Sequence, residues 1–114
     1  MSKEYPNPEQ DILALTNHEK PEYVICAAIW FNDKKEHLHQ PRNIKEGFVI
    51  CGRRHHNCFI TKSLSEYSEI KGDSVQGFLT SKDIFLDRRQ AAELAFKMGQ
   101  IKRETTCLFS EDLY

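Results

Sequence analysis

Three groups of side chains carry the chemistry available to this 114-residue chain. The first is Gly52-Arg53-Arg54-His55-His56, with Cys58 just beyond it. The second is Asp87-Arg88-Arg89, and the third is the pair His37 and His39. Arginine offers a planar fork for phosphate and a flat face for a purine ring. At Arg53 to His56, four cationic or potentially cationic side chains gather where a strand is expected to give way to a helix. The free N–H groups of a helix start already favour anions. Phosphate contact is the functional reading of this junction, and a solvated basic turn is the ordinary one. Spacing alone does not separate them.

Metal and nucleophile chemistry are weaker readings. Cys51, His55, His56 and Cys58 do not match the ligand intervals of a zinc site. Adjacent histidines on a helix diverge by about 100 degrees. His37 and His39 share a face only on a strand, and the surrounding DKKEHLHQPRNIKE reads as a solvated loop with incidental histidines. Cys58 beside His55 and His56 gives an alternative function, a small nucleotide hydrolase or nuclease, because a helix start activates a thiol. Residue 58 also adjoins an apolar stripe, so a packing cysteine is the better reading. The chain has no glycine-rich phosphate loop, no G-x-S-x-G elbow and no paired-carboxylate spacing. No catalytic residue, metal or cofactor is assigned.

The elements that must position these groups can be read in order. One hundred and fourteen residues suit one domain. A net charge of -1 excludes a general nucleic-acid coat, so no DNA partner is expected. No apolar run reaches the ~20 residues of a membrane span, and no secretion signal opens the chain. The cysteines at 26, 51, 58 and 107 therefore read as reduced thiols. Residues 1–21 form a polar arm with Pro6, Pro8 and Pro21, and residues 22–114 the domain.

Within the domain, EYVICAAIWFN (22–32) is the strongest strand, nearly continuous in hydrophobicity and so covered on both faces. GFVICG (47–52) is a second strand. Phe59, Ile60, Leu64 and Tyr67 then mark the buried stripe of a helix. Residues 76–80 and 84–86 form a hairpin. Asp87 and Gln90 make a capping box for a helix from Arg88 to about Met98, buried along Ala91, Ala92, Ala95 and Phe96 and closed by Gly99. TCLF (106–109) is a short strand or a docking segment, and a tail ending Leu113-Tyr114 is expected to dock. The fold class is α+β, a small antiparallel sheet with two amphipathic helices in a single domain.

GRRHHNC (52–58), QGFLTSKDIFLDRRQAA (76–92), FKMGQ and LFSEDLY together resemble the first-described type of phage Thoeris anti-defence sponge. They span roughly the last 65 residues, with a weaker match in the first strand. The resemblance implies a homo-oligomer, typically a hexamer built from dimers, in the cytoplasm of an infected bacterium. It implies sequestration without turnover of cyclic ADP-ribose isomers, the glyco-cyclic signals of TIR enzymes, in pockets between protomers. Some members also hold cyclic di- or trinucleotides at a separate site. Carried over, Phe78 would stack on adenine, Asp87 or Arg88 would make a polar contact, and Arg103 would lie near the second phosphate or the base. Arg53, Arg54 and His56 would belong to the oligonucleotide site. Some members place Asn at a contact near Asp87 and this chain has none there, so Asp87 is either a ligand contact or only the helix cap. A third reading is a module that binds another protein through the Arg53 to His56 surface.

Overall fold

The computed structural model describes residues 21–70 and 73–114. The expected polar arm lies outside them, apart from residue 21. Strand β1 (Val24–Asn32) is the centre of a four-stranded antiparallel sheet. Its β-branched and aromatic residues suit a strand flanked on both edges. On one side it pairs with β2 (Phe48–Gly52), in a register that sets Ala28 opposite Cys51 and Phe31 opposite Phe48. On the other it pairs with β3 (Asp73–Thr80), with Ala27 opposite Phe78. The short β4 (Phe85–Asp87) completes the order β2-β1-β3-β4.

One face of the sheet carries two helices. Helix α1 (His55–Ser63) lies over Ile29, Phe31 and Phe48 through its Cys58. Helix α2 (Arg88–Lys97) lays Ala91, Ala92 and Ala95 on Val24, Ala27 and Phe78. Alanines at this spacing let the helix backbone approach the sheet closely. Leu108 fills the same cluster from the C-terminal segment, which ends in a single helical turn, α3 (Ser110–Leu113).

The α2 start is built as expected. The Asp87 carboxylate accepts from the Gln90 N–H at 2.8 Å, and the Gln90 side chain accepts from the Asp87 N–H at 3.0 Å. At the other end Gly99 takes φ +75°, a left-handed conformation that glycine adopts without steric cost. Phe96 is corrected: it is 42% exposed, and the buried positions of α2 are Ala91, Ala92 and Ala95.

The α1 stripe is also corrected. Phe59, Ile60 and Leu64 are exposed, and the buried members of the helix are His55 and Cys58. The helix ends at Ser63, so Tyr67 is not on it; its ring instead stacks on Phe48 at 4.6 Å. A polar anchor rather than the apolar count sets the rotation of α1, since His55 is tied to the Gly77 carbonyl of β3 at 2.8 Å.

Cover for the second sheet face comes from residues 33–46. Asn43 pairs with both main-chain groups of Phe85, donating at 2.7 Å and accepting at 2.9 Å. The Trp30 indole donates to the Glu46 carbonyl at 2.9 Å, and Gln40 accepts from the Val49 N–H of edge strand β2 at 2.8 Å. Ala28 on this face is fully buried, and Phe85, whose ring faces Trp30, is nearly so. The segment is largely exposed, and His39 is a solvated histidine as expected, but His37 is not incidental. His37 bonds Asp33 at 2.8 Å and sets its ring against Phe48 and Tyr67. Burial of Asp33 opposes ionisation, but the hydrogen bonds from His37 and the Lys35 N–H outweigh it and hold the carboxyl below its ordinary range.

Candidate functional site

Two helix starts and the chain's C-terminal segment meet around His55. Arg54 is the N-cap of α1, and Arg88 is the first residue of α2. Neither helix has an acidic residue in its first turn; the α1 start has no carboxylate cap, whereas the Asp87 carboxylate caps α2.

A directional chain of hydrogen bonds fixes the protonation of His55. Its Nε2 lies 2.8 Å from the Gly77 carbonyl, which can only accept, so Nε2 carries the proton. Nδ1 is then the acceptor, and it receives an Arg88 Nη2–H at 3.3 Å. The same Nη2 donates to Gln76 Oε1 at 2.7 Å. Burial pushes the His55 pKa below its ordinary value and the Arg88 charge adds to this, against the opposing effects of the Gly77 carbonyl and Glu111. His55 is a neutral spacer between cations, not a further cation.

The C-terminal segment flanks both arginines with aromatic rings. Arg88 lies 4.7 Å from the centre of the Phe109 ring, and Arg54 lies 5.0 Å from that of Tyr114. Arg54 Nη2 also donates to the Tyr114 carbonyl at 2.6 Å. The Tyr114 hydroxyl donates to the Arg53 carbonyl at 2.7 Å and accepts from the Ala27 N–H at 3.3 Å. The tail docks, as its apolar end predicted. Two guanidinium atoms shielded from solvent, Arg54 Nη1 and Arg88 Nε, find no acceptor. Among the described residues no Asp or Glu side chain is ion-paired with either arginine.

Phe109 also borders a groove of about 510 Å³ that is lined by Lys102, Arg103, Thr105, Cys107 and Asp112. Arg103 is exposed on its rim. Arg89 lies elsewhere, in a second groove of about 400 Å³ with Glu93, Phe96 and Glu104. Arg53 and His56 are exposed at the α1 start, and the Asp87 carboxylate is engaged as the cap of α2.

Phe78 is the clear correction. Its ring is fully buried in the core beneath α2, edge-on to His55 at 5.1 Å. Opposite Ala27 at the middle of the sheet, it presents no face on which a base can stack. The exposed aromatic beside the arginines is Phe109, 46% exposed, which residue type and spacing did not single out. The available signal was the docking tail, whose Phe109 and Tyr114 bracket one helical turn.

The nucleophile reading of Cys58 is not supported by its surroundings. The side chain is fully buried, its sulfur faces the Arg54 carbonyl at 3.6 Å, and burial pushes the thiol up to about 11. Among the described residues, no three His, Cys, Asp or Glu side chains cluster as a metal site, and no helix is long and apolar enough to cross a membrane.

No curated protein and no solved structure is significantly similar to the chain. The sequence profile of the phage T4 y16D protein family matches residues 23–114, most of the chain and all four strands. The chain belongs to the phage T4 y16D protein family.

Proposed function

We propose that this phage protein is a non-enzymatic sponge that holds cyclic nucleotide immune signals, first among them cyclic ADP-ribose isomers made by TIR enzymes, in the cytoplasm of the infected bacterium. One observation carries the reading: Phe109 packs on Arg88 and, half exposed, also borders the groove of Lys102 and Arg103. An aromatic face beside several cations suits a ligand with a purine ring and a pyrophosphate. Arg54, with Arg53 and His56, extends the cationic surface toward α1 and would serve cyclic oligonucleotides. The sequence resemblance supplies the class of ligand and a homo-oligomer, hexameric by that resemblance, in which neighbouring protomers close the open grooves. Holding rather than turnover fits the side chains present. His55 is committed to Gly77 and Arg88, and Cys58 is enclosed.

The test is to titrate the protein with cyclic ADP-ribose isomers in a calorimeter, then heat-denature the complex and analyse what is released. Recovery of intact ligand is expected. A chemically altered ligand would make the protein an enzyme. No heat of binding and no shift in melting temperature would overturn the nucleotide reading and leave the protein-binding one.

A further inference from the structure

Cys26 and Cys51 lie outside the proposed ligand site, on the opposite face of the sheet. The register sets Ala28 opposite Cys51, so Cys26, two residues earlier on β1, is the diagonal neighbour of Cys51 on the same face. Cys51 is exposed at the end of an edge strand, and Cys26 is half-buried. By contrast, Cys58 projects from α1 against the other face, and Cys107 lines the Arg103 groove. We propose that Cys26 and Cys51 form a reversible intramolecular disulfide under hydroperoxide oxidation, which makes this face a thiol modification site.

The environment divides the roles between the two sulfurs. A hydrogen bond from Cys51 outweighs burial and brings the Cys26 thiol down to about 7, while Cys26 raises that of Cys51. Cys26 is therefore the attacking thiolate and Cys51 the resolving thiol. The Cys26 sulfur attacks one peroxide oxygen, the O–O bond breaks, and the departing hydroxide takes a proton to become water. Cys51 then attacks the sulfenic sulfur, the S–S bond forms, the S–O bond breaks, and a second water leaves with the Cys51 proton. Two thiols are oxidised and one peroxide is reduced.

Geometry also sets the character of the bond. Diagonal neighbours in a sheet stand about 7–8 Å apart at Cα, slightly beyond the relaxed span of a disulfide. A bulge between Val24 and Cys26 interrupts the β1 register beside Cys26, and Cys51 is exposed near the end of an edge strand, so closing the bond draws on local movement at these two places. The resulting bond is strained and hence easily reduced, as suits a reversible modification rather than a structural staple.

The experiment treats the full chain with hydrogen peroxide and measures intact mass under denaturing conditions before and after dithiothreitol. The expected product is a monomer lighter by two hydrogens, with the peptides of Cys26 and Cys51 linked, restored by the reductant. Cys51→Ser, at an exposed position, should abolish the loss of hydrogens, and Cys107→Ser should leave it intact. Oxygen added to single cysteines without a link, a disulfide joining two chains, or an unchanged mass loss in Cys51→Ser would each overturn the proposal. Should Cys51→Ser fail to fold, brief iodoacetamide labelling of the wild type at neutral pH decides. Cys26 modified before Cys107 supports the assignment, and the reverse order refutes it.

Discussion

Arg88 holds its guanidinium 4.7 Å from the centre of the Phe109 ring while giving one nitrogen to both Gln76 and His55. The arginine is thus immobilised on three sides before any ligand arrives, which lowers the entropy lost on binding. Phe109→Ala removes the exposed stacking face and loosens this arginine. Base stacking on an aromatic is worth roughly 1–3 kcal/mol. The affinity for cyclic ADP-ribose isomers in calorimetry is therefore expected to fall tenfold or more, with little change in melting temperature. An unchanged affinity would remove Phe109 from the site.

Phe78→Ala is expected to act on folding instead. A fully buried phenylalanine replaced by alanine leaves a cavity that costs about 3–5 kcal/mol. Urea unfolding should show a lowered midpoint, and any ligand loss should track the unfolded fraction. A stable Phe78→Ala protein that no longer binds would return Phe78 to the ligand site.

How much of this arrangement was legible depends on how local its cause is. The α2 start needs only Asp87 and Gln90, three residues apart, and the close of the helix only Gly99, so both could be read directly. β1 declared itself central by being apolar on both faces. The burial of Phe78 depends on which face of β3 meets α2, and the rotation of α1 depends on a bond from His55 to a strand 22 residues away. Neither is encoded in a local period. Residues 33–46 look polar and are mostly exposed, yet Asn43 and Gln40 engage main-chain groups of the sheet with their side chains, a tie that composition does not reveal. Phe109 was missed for a related reason: its value comes from Arg88, 21 residues earlier, reached only once Leu108 has docked by donating its N–H to the Arg88 carbonyl.

His55 gives stability a pH dependence with a defined sign. Its folded pKa lies below the unfolded value of 6.5, so the unfolded chain binds the proton more readily. The contribution is fully present above pH 6.5 and is lost as the pH falls through the lower folded value. Protonation would place an N–H on Nδ1 facing Arg88, while Glu111 offers partial relief. Urea unfolding between pH 8 and pH 5 should show falling stability in the wild type and a flatter profile in His55→Gln. These pH values are chosen to bracket the ordinary histidine range of about 6.5. Equal slopes in the two proteins would show that His55 is not the group responsible.

Gln100 does the work of a strand residue from a side chain. Its Oε1 accepts from the Val24 N–H and its Nε2 donates to the Val24 carbonyl, both at 2.8 Å. Gln100→Ala would orphan both groups at the start of β1, at a cost of about 1–3 kcal/mol. Gln100→Glu would keep the acceptor and lose the donor, and is expected to fall between the two in chemical denaturation. Hydrogen exchange at the Val24 amide should rise in Gln100→Ala. Unaltered protection would show that the pair does not persist in solution.

Asp87 is best tested with two substitutions that separate its roles. As the α2 N-cap it accepts from Gln90, and its removal in Asp87→Ala is expected to cost about 1 kcal/mol. Asp87→Ser retains an oxygen at the cap and should be nearly neutral to stability. Both remove a carboxylate adjacent to Arg88, where the ligand's phosphates are proposed to lie. If Asp87 is only the cap, removing that charge leaves affinity for cyclic ADP-ribose isomers unchanged or improved in both variants, because like-charge repulsion is relieved. If the carboxylate instead accepts a ribose hydroxyl, both variants bind more weakly whatever their stability. The committed cap bonds on both the carboxylate and the main chain favour the first outcome. A loss of affinity in Asp87→Ser, with its melting temperature intact, would assign the carboxylate to the ligand.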